Sequence, residues 1–172
     1  ALPIYVTVGK YNDGGSEARE GLARRLAAGM RASIKSTKSA PLNGMDWKTA
    51  GLRLPPRPGE QPAWPPAEAA KMNGTEIYRR AIQAAFRLRR EPLTVSMLRL
   101  GDVTIVHLPG EPMLEFQRHA GEAIVAGYGD ISPGYLCPDK AFEEGGYEPS
   151  AANAGPGTEA VVKQAMAKVL SD

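Results

Sequence analysis

Residues 93–109 constrain the fold more than any other stretch of the chain. Leu93, Val95 and Met97 alternate with Thr94 and Ser96, and Val103, Ile105 and His107 alternate with Thr104 and Val106, with Gly101-Asp102 between the two runs. Alternation with period two puts successive side chains on opposite faces of a strand, and a Gly-Asp pair supplies a tight turn. The pattern predicts an antiparallel hairpin. Its second strand ends at Pro109-Gly110, residues that cannot extend a strand ladder, and Glu111 follows where a helical pattern begins. A carboxylate leaving the end of a buried strand is well placed to line a cleft.

Amphipathic segments surround this hairpin. Leu2, Ile4, Val6 and Val8 share one face of a predicted first strand, which leads into the polar loop Lys10-Tyr11-Asn12-Asp13-Gly14-Gly15. Leu22, Leu26, Met30 and Ile34 then recur at every fourth position, the spacing of one helix face, with Ser16 as the expected cap. Residues 46–54 read as a strand, and the prolines from Pro55 to Pro66 as a stiff surface connection. Beyond a short helical piece at 67–72, Thr75 is the expected cap of a helix whose apolar side carries Ile77, Tyr78, Ala81, Ile82, Ala85 and Leu88.

After Glu111, Met113, Leu114, Phe116, Ala120, Ala123 and Ile124 give a helical pattern, and 127–135 is dense in turn-forming residues. A short strand at 135–137, a helical turn at 139–144, an irregular stretch to Gly157 and a final helix capped by Thr158 complete the chain. That helix bears Val161, Val162, Ala165, Met166, Val169 and Leu170. Strands interspersed with helices and one antiparallel pair predict an α/β fold, a mixed β-sheet layered with amphipathic helices.

The 172 residues suit one domain with a substantial core. With 21 basic and 19 acidic side chains the net charge is +2, so no nucleic-acid footprint is evident. Arg87, Arg89 and Arg90 form the densest basic run; at a helix end they offset the dipole, an anion site being the alternative. A single cysteine, Cys137, excludes an internal disulfide and a cysteine-based zinc cluster, and reads as a small buried residue. No run reaches the roughly 18 apolar residues of a transmembrane segment, and the first residues lack a signal peptide's charged start. A chain opening directly on a core strand is expected to be a processed or excised piece.

The order of motifs resembles the neutral/alkaline ceramidase superfamily, in particular its bacterial ceramidase-like members. Gly101-Asp102 and an apolar strand lead to Leu108-Pro109-Gly110-Glu111; a Gly-rich loop ends at Gly134-Tyr135; Phe142-Glu143-Glu144-Gly145-Gly146-Tyr147-Glu148 follows; a Gly-containing linker meets the last helix. The likeness extends over nearly the whole chain but only over the C-terminal portion of that family's catalytic domain. It implies either a single domain over residues 1–172 or that C-terminal portion.

What the resemblance implies is a zinc-dependent amidohydrolase that cleaves the N-acyl amide of ceramide-like lipids, the zinc being held by two histidines, a glutamate and a tyrosine. By motif the glutamate is Glu111 and the tyrosine Tyr135, while both histidines belong to the portion not covered. Tyr135 and Asp13 are the implied catalytic residues; Asp13 stands near the family's loop aspartate, although the residues after it depart from the family's pattern. The two histidines present are not substitutes. His107 faces with Val103 and Ile105, and His119 lies about 12 Å beyond Glu111 if both share a helix rising 1.5 Å per residue. The expected partners are therefore an amide-linked lipid substrate and an upstream segment or companion chain that brings two histidine ligands. The 172-residue chain alone is expected to be inactive. The alternative is a ceramidase-like binding or assembly module with no metal and a structural Glu111. The resemblance favours a secreted or periplasmic protein.

Overall fold

Eight residues of β1 (Met45–Leu52), eight of β2 (Leu93–Leu100), seven of β3 (Val103–Pro109) and six of β5 (Ile124–Gly129) form a four-stranded sheet in the order β1-β2-β3-β5. The structure is a computed structural model describing residues 15–59, 65–129 and 133–171. The predicted first strand, Asp13, Trp64 and Asp130 lie outside the described residues. The chain divides into two compact units, one over Tyr5–Asn43 and the other over Ala1–Ile4 and Gly44–Asp172. In the first, α1 (Ser16–Ser36) forms as its four-residue spacing predicts, but no residue in it is buried and Leu26, Met30 and Ile34 are exposed. Its N-cap is Gly15 rather than Ser16.

The larger unit is built on the hairpin. β2 and β3 pair antiparallel across Gly101-Asp102, β1 adds antiparallel to β2, and β5 adds parallel to β3. The mixed α/β fold expected from the sequence is the one found. The sheet buries Val95, Met97, Val106 and Val125 on one face, with Leu52, Leu93 and Leu108 completing the same core. Helix α6 (Thr158–Leu170) lies over β1 and β2 on this side, presenting Val162, Ala165, Met166 and Val169. Lys48 Nζ donates to the Ser171 carbonyl at 2.6 Å and ties the helix end to β1. Helix α6 starts after Gly157, whose φ of 91° only glycine adopts cheaply. Thr158, expected as the cap, is instead the first helical residue and its buried hydroxyl donates to the Gly155 carbonyl at 2.7 Å.

Three further expectations are corrected. Helix α2 (Gly74–Leu88) is capped by Asn73, whose side chain accepts from the Glu76 amide at 2.9 Å, not by Thr75. The helix expected from Glu111 to Ile124 is only α3 (Leu114–His119), preceded by a two-residue strand β4 (Glu111–Pro112) and followed by β5. Within the stretch expected to be irregular, Tyr147–Ala151 forms a short helix, α5. Strand β6 (Tyr135–Leu136) and α4 (Asp139–Glu144) form where expected. No described helix is long and apolar enough to cross a membrane.

Candidate functional site

Glu111 does not begin a helix; it opens β4, and its register partner in the parallel strand β6 is Tyr135. Partners on adjacent strands carry their side chains on one side of the ladder, about 5 Å apart. Backbone bonds from Glu111 N to the Gly134 carbonyl (2.9 Å) and from Met113 N to the Leu136 carbonyl (3.1 Å) hold this register. The acid and the phenol that the sequence separates by two dozen residues therefore stand together.

A third segment closes on the pair. The Tyr128 amide donates to the Gly110 carbonyl at 2.6 Å, so the end of β5 is pinned to the residue before Glu111. The approach is close enough to dictate glycines. A Cβ on Gly110 would lie 2.6 Å from the Gly134 carbonyl oxygen, and one on Gly127 would lie 2.8 Å from Pro112 Cδ. Gly110 also has φ +127°, open to glycine and costly to other residues. Tyr128 itself has φ 60°, the one non-glycine residue with positive φ among those described. A bulky residue held in the left-handed region costs of order 1–3 kcal/mol, and such strain gathers at functional sites.

Tyr128 stands beside the Glu111 carboxylate, which acts on its phenol. Its phenol is pushed up to about 12, by loss of water around it and then by the bond to and charge of Glu111. With the residue 51 % exposed, we give the Glu111 contact the greater weight. Tyr135 is also raised above the ordinary tyrosine range, first by burial and next by the charge of Glu111, with Tyr147 and Glu148 adding to it. The Tyr135 and Tyr147 rings meet edge to face, centroids 6.0 Å apart, and Glu148 is buried beside them. One carboxylate thus raises the phenols on either side of it, and all three oxygen groups are hard donors of the kind that supplement imidazole around zinc.

The other residues singled out from sequence are elsewhere or inert. His119 Nε2 contacts Glu159 Oε1 at 2.6 Å and its ring meets Phe116 edge-on, so its role is to join α3 to α6. His107 is half-buried with its ring 6.0 Å from that of Trp47, and its Nδ1 is buried without a hydrogen-bond partner. Cys137 is fully buried among Ala141, Ala152 and neighbouring apolar groups, and burial pushes its thiol up to about 12, which removes nucleophilic character. No three His, Cys, Asp or Glu side chains among the described residues gather as a metal site. Tyr128 lies in the stretch read as dense in turn formers, and the structure brings it beside Glu111 at the end of β5. A bulky residue between two glycines, in Gly127-Tyr128-Gly129, was the available signal.

No protein-family model matches the sequence and no curated protein matches it. Among solved structures, neutral ceramidase from Pseudomonas aeruginosa is similar, with a TM-score of 0.56 and 17 % identity over 96 % of this chain. The match spans 34 % of the ceramidase chain. The described units thus share the fold of about a third of that enzyme's length, a ceramidase-like fold.

Proposed function

We propose that this chain is the C-terminal portion of the catalytic domain of a zinc-dependent amidohydrolase resembling neutral ceramidase, acting on an amide-linked lipid. The single observation that carries the reading is the register pairing of Glu111 with Tyr135, reinforced by the Tyr128 phenol beside the same carboxylate. The donor set fits part of a zinc sphere, one carboxylate and one phenol with a second phenol beside the carboxylate, and falls short of the four ligands such a site takes. A bound zinc would supply Lewis-acid activation of water and of the amide carbonyl.

Within this chain the roles divide as follows. Glu111 and Tyr135 present their oxygens from adjacent strands, so their separation is set by backbone register rather than by flexible side chains. Tyr128, pinned through its amide to the Gly110 carbonyl, places its phenol beside the Glu111 carboxylate. Tyr147 packs its edge against the Tyr135 ring and limits its rotation. Burial, and next the Glu111 charge, raise the Tyr135 phenol, and a cation between them would favour its ionised form instead. Asp13 is proposed as a further catalytic residue from the loop before α1.

The missing ligands are proposed to be two histidines from an upstream segment or companion chain. The sheet supports a covering layer of this kind: on the face away from α6, Met45, Trp47, Val103 and Ile124 are exposed in adjacent strands. The test is metal content. Zinc is expected in the protein that includes the histidine-bearing body and not in the 172-residue chain, and Glu111→Ala in the former should abolish it. Unchanged zinc after that substitution would remove Glu111 from the site. The second reading is a metal-free binding or assembly module, in which the Tyr128 phenol beside the Glu111 carboxylate is structural. Zinc absent from both forms would select it. A secreted or periplasmic location is proposed on the ceramidase likeness alone.

A further inference from the structure

Helix α2 buries Ala84 and packs Phe86 against the core, and beside them it carries partly buried arginines. Tyr78 and Leu88, expected on its buried side, are 68 % and 63 % exposed, whereas the Arg80 side chain is 24 % exposed and Arg87 is half-buried. Burying the stem of a guanidinium while leaving aromatic and aliphatic groups in water runs against the usual sorting of a helix. Arg80, Gln83 and Arg87 recur at three- and four-residue intervals on one side of the helix, with Arg79 and Phe86 flanking them.

That face forms one wall of a cavity of about 770 Å³. Its opposite walls are Pro56-Arg57-Pro58 and the end of α5, including Tyr147. Arg57 is anchored there through Nη1 to the carbonyls of Ser150 and Ala152. Four guanidiniums, Arg57, Arg79, Arg80 and Arg87, line the cavity and no described lining residue is a carboxylate. Glu68 and Glu76 hold Arg80 at 2.9 and 3.3 Å. The volume falls within the roughly 300–1,000 Å³ of small-molecule sites. Planar guanidinium forks match the paired oxygens of phosphate-type anions better than they match any neutral group.

We propose that the cleft between α2 and α5 binds a phosphate-type oxyanion, borne either by a free small molecule or by a lipid headgroup. The inference stands on the cleft and is independent of whether Glu111 and Tyr135 hold a metal. Tyr147 belongs to both places, lining the cleft and touching Tyr135, so a ligand anchored by its anion here extends toward the candidate centre.

The experiment uses the full chain with two probes, inorganic phosphate by calorimetry and phosphatidylglycerol-containing vesicles by co-sedimentation against phosphatidylcholine vesicles. Three proteins are compared: the unaltered chain, Arg79→Gln in the cleft wall, and Arg90→Gln, which removes the same charge from an exposed residue outside it. Saturable binding that weakens about fivefold in R79Q, the equivalent of one partly exposed ionic contact, and is unchanged in R90Q supports the proposal. The free-anion source is assigned if phosphate shows this pattern, and the headgroup source if only the anionic vesicles do. Absence of binding to both probes overturns it, and so does equal weakening in R79Q and R90Q, which would mean attraction by net charge alone. Matching melting curves for the three proteins establish that the comparison concerns binding and not folding.

Discussion

The two faces of the four-stranded sheet are made from the same four strands and live in different surroundings. On one, Val95, Met97, Val106 and Val125 have at most 2 % of their surface in solvent, under α6. On the other, the row Trp47-Leu98-Ile105-Ile124 and the row Met45-Leu100-Val103 are apolar as well, yet Met45 is 73 % and Trp47 56 % exposed. A sheet with apolar rows on both faces is the pattern of a layer packed between two others, whereas a sheet facing water alternates apolar with polar. One cover is α6; on the other face these two rows have the composition of an interior and the exposure of a surface, beside a polar row, Thr49-Ser96-His107.

The largest effect to expect is on the covered face. Met97→Ala deletes a side chain with no solvent exposure and should cost about 2–5 kcal/mol, measured by urea denaturation. Trp47→Ala removes a larger side chain from the open face and should cost less than about 1 kcal/mol in this chain. Comparable losses would mean that the two faces are equally packed and that no second layer is called for. In the protein proposed to contain the histidine-bearing body, the Trp47 cost should rise toward the Met97 value.

The cover itself is held by a carboxylate. Glu159 on α6 reaches His119 of α3 with Oε1 and accepts from the Asp139 amide of α4 with Oε2 at 3.2 Å. Its acidity is increased, first by the hydrogen bond with His119 and in part by the Asp139 amide, while burial opposes. A carboxylate whose pKa falls on folding stabilises the fold above its ordinary range, and the contribution is lost as pH falls through the lowered value. Glu159→Gln should therefore cost about 1–2 kcal/mol at neutral pH. The gap between variant and parent should close on acidification. A gap that stays constant down to acid pH would detach α6 from this contact.

These contrasts also separate what the sequence disclosed from what it hid. The hairpin, β1 and α6 were legible because each carries its periodicity in a local run. Strand β5 was not, because Val125-Ala126-Gly127-Tyr128-Gly129 has two glycines and weak strand preference, and it exists as the parallel neighbour of β3. Reading Glu111 as a helix start failed for a related reason: its strand partner lies 24 residues ahead, and a two-residue ladder has no period to detect. The basic run Arg87, Arg89 and Arg90 falls at the end of α2 as read, whereas the approach of Arg79 and Arg80 to Arg57 is tertiary and carries no local signal. Of the candidate centre, Glu111 and Tyr135 came from resemblance, whereas the Tyr128 contact is a tertiary fact written only as a bulky residue between glycines.

The smallest expected effect on stability, and the one most specific to the centre, concerns Tyr128. It follows Ile124 and Ala126 on β5 and marks where the open apolar face ends in a polar cluster. Its phenol, raised to about 12, keeps its proton in the folded chain at a pH where an unfolded tyrosine near 10 has lost it. The folded state then binds more protons than the unfolded one, so stability is undiminished below pH 10 and declines as pH rises from 10 toward 12. Because Tyr128 is half-exposed the decline should be shallow, and ultraviolet phenolate titration is the more sensitive measurement. Glu111→Gln removes the charge that adds to burial in raising both phenols and should bring the Tyr128 and Tyr135 transitions down together. Phenolate titration indifferent to that substitution would mean that burial alone sets these phenols. Glu111, Tyr128 and Tyr135 would then share a neighbourhood without forming an electrostatic unit, and the case for a common metal would rest on backbone register alone.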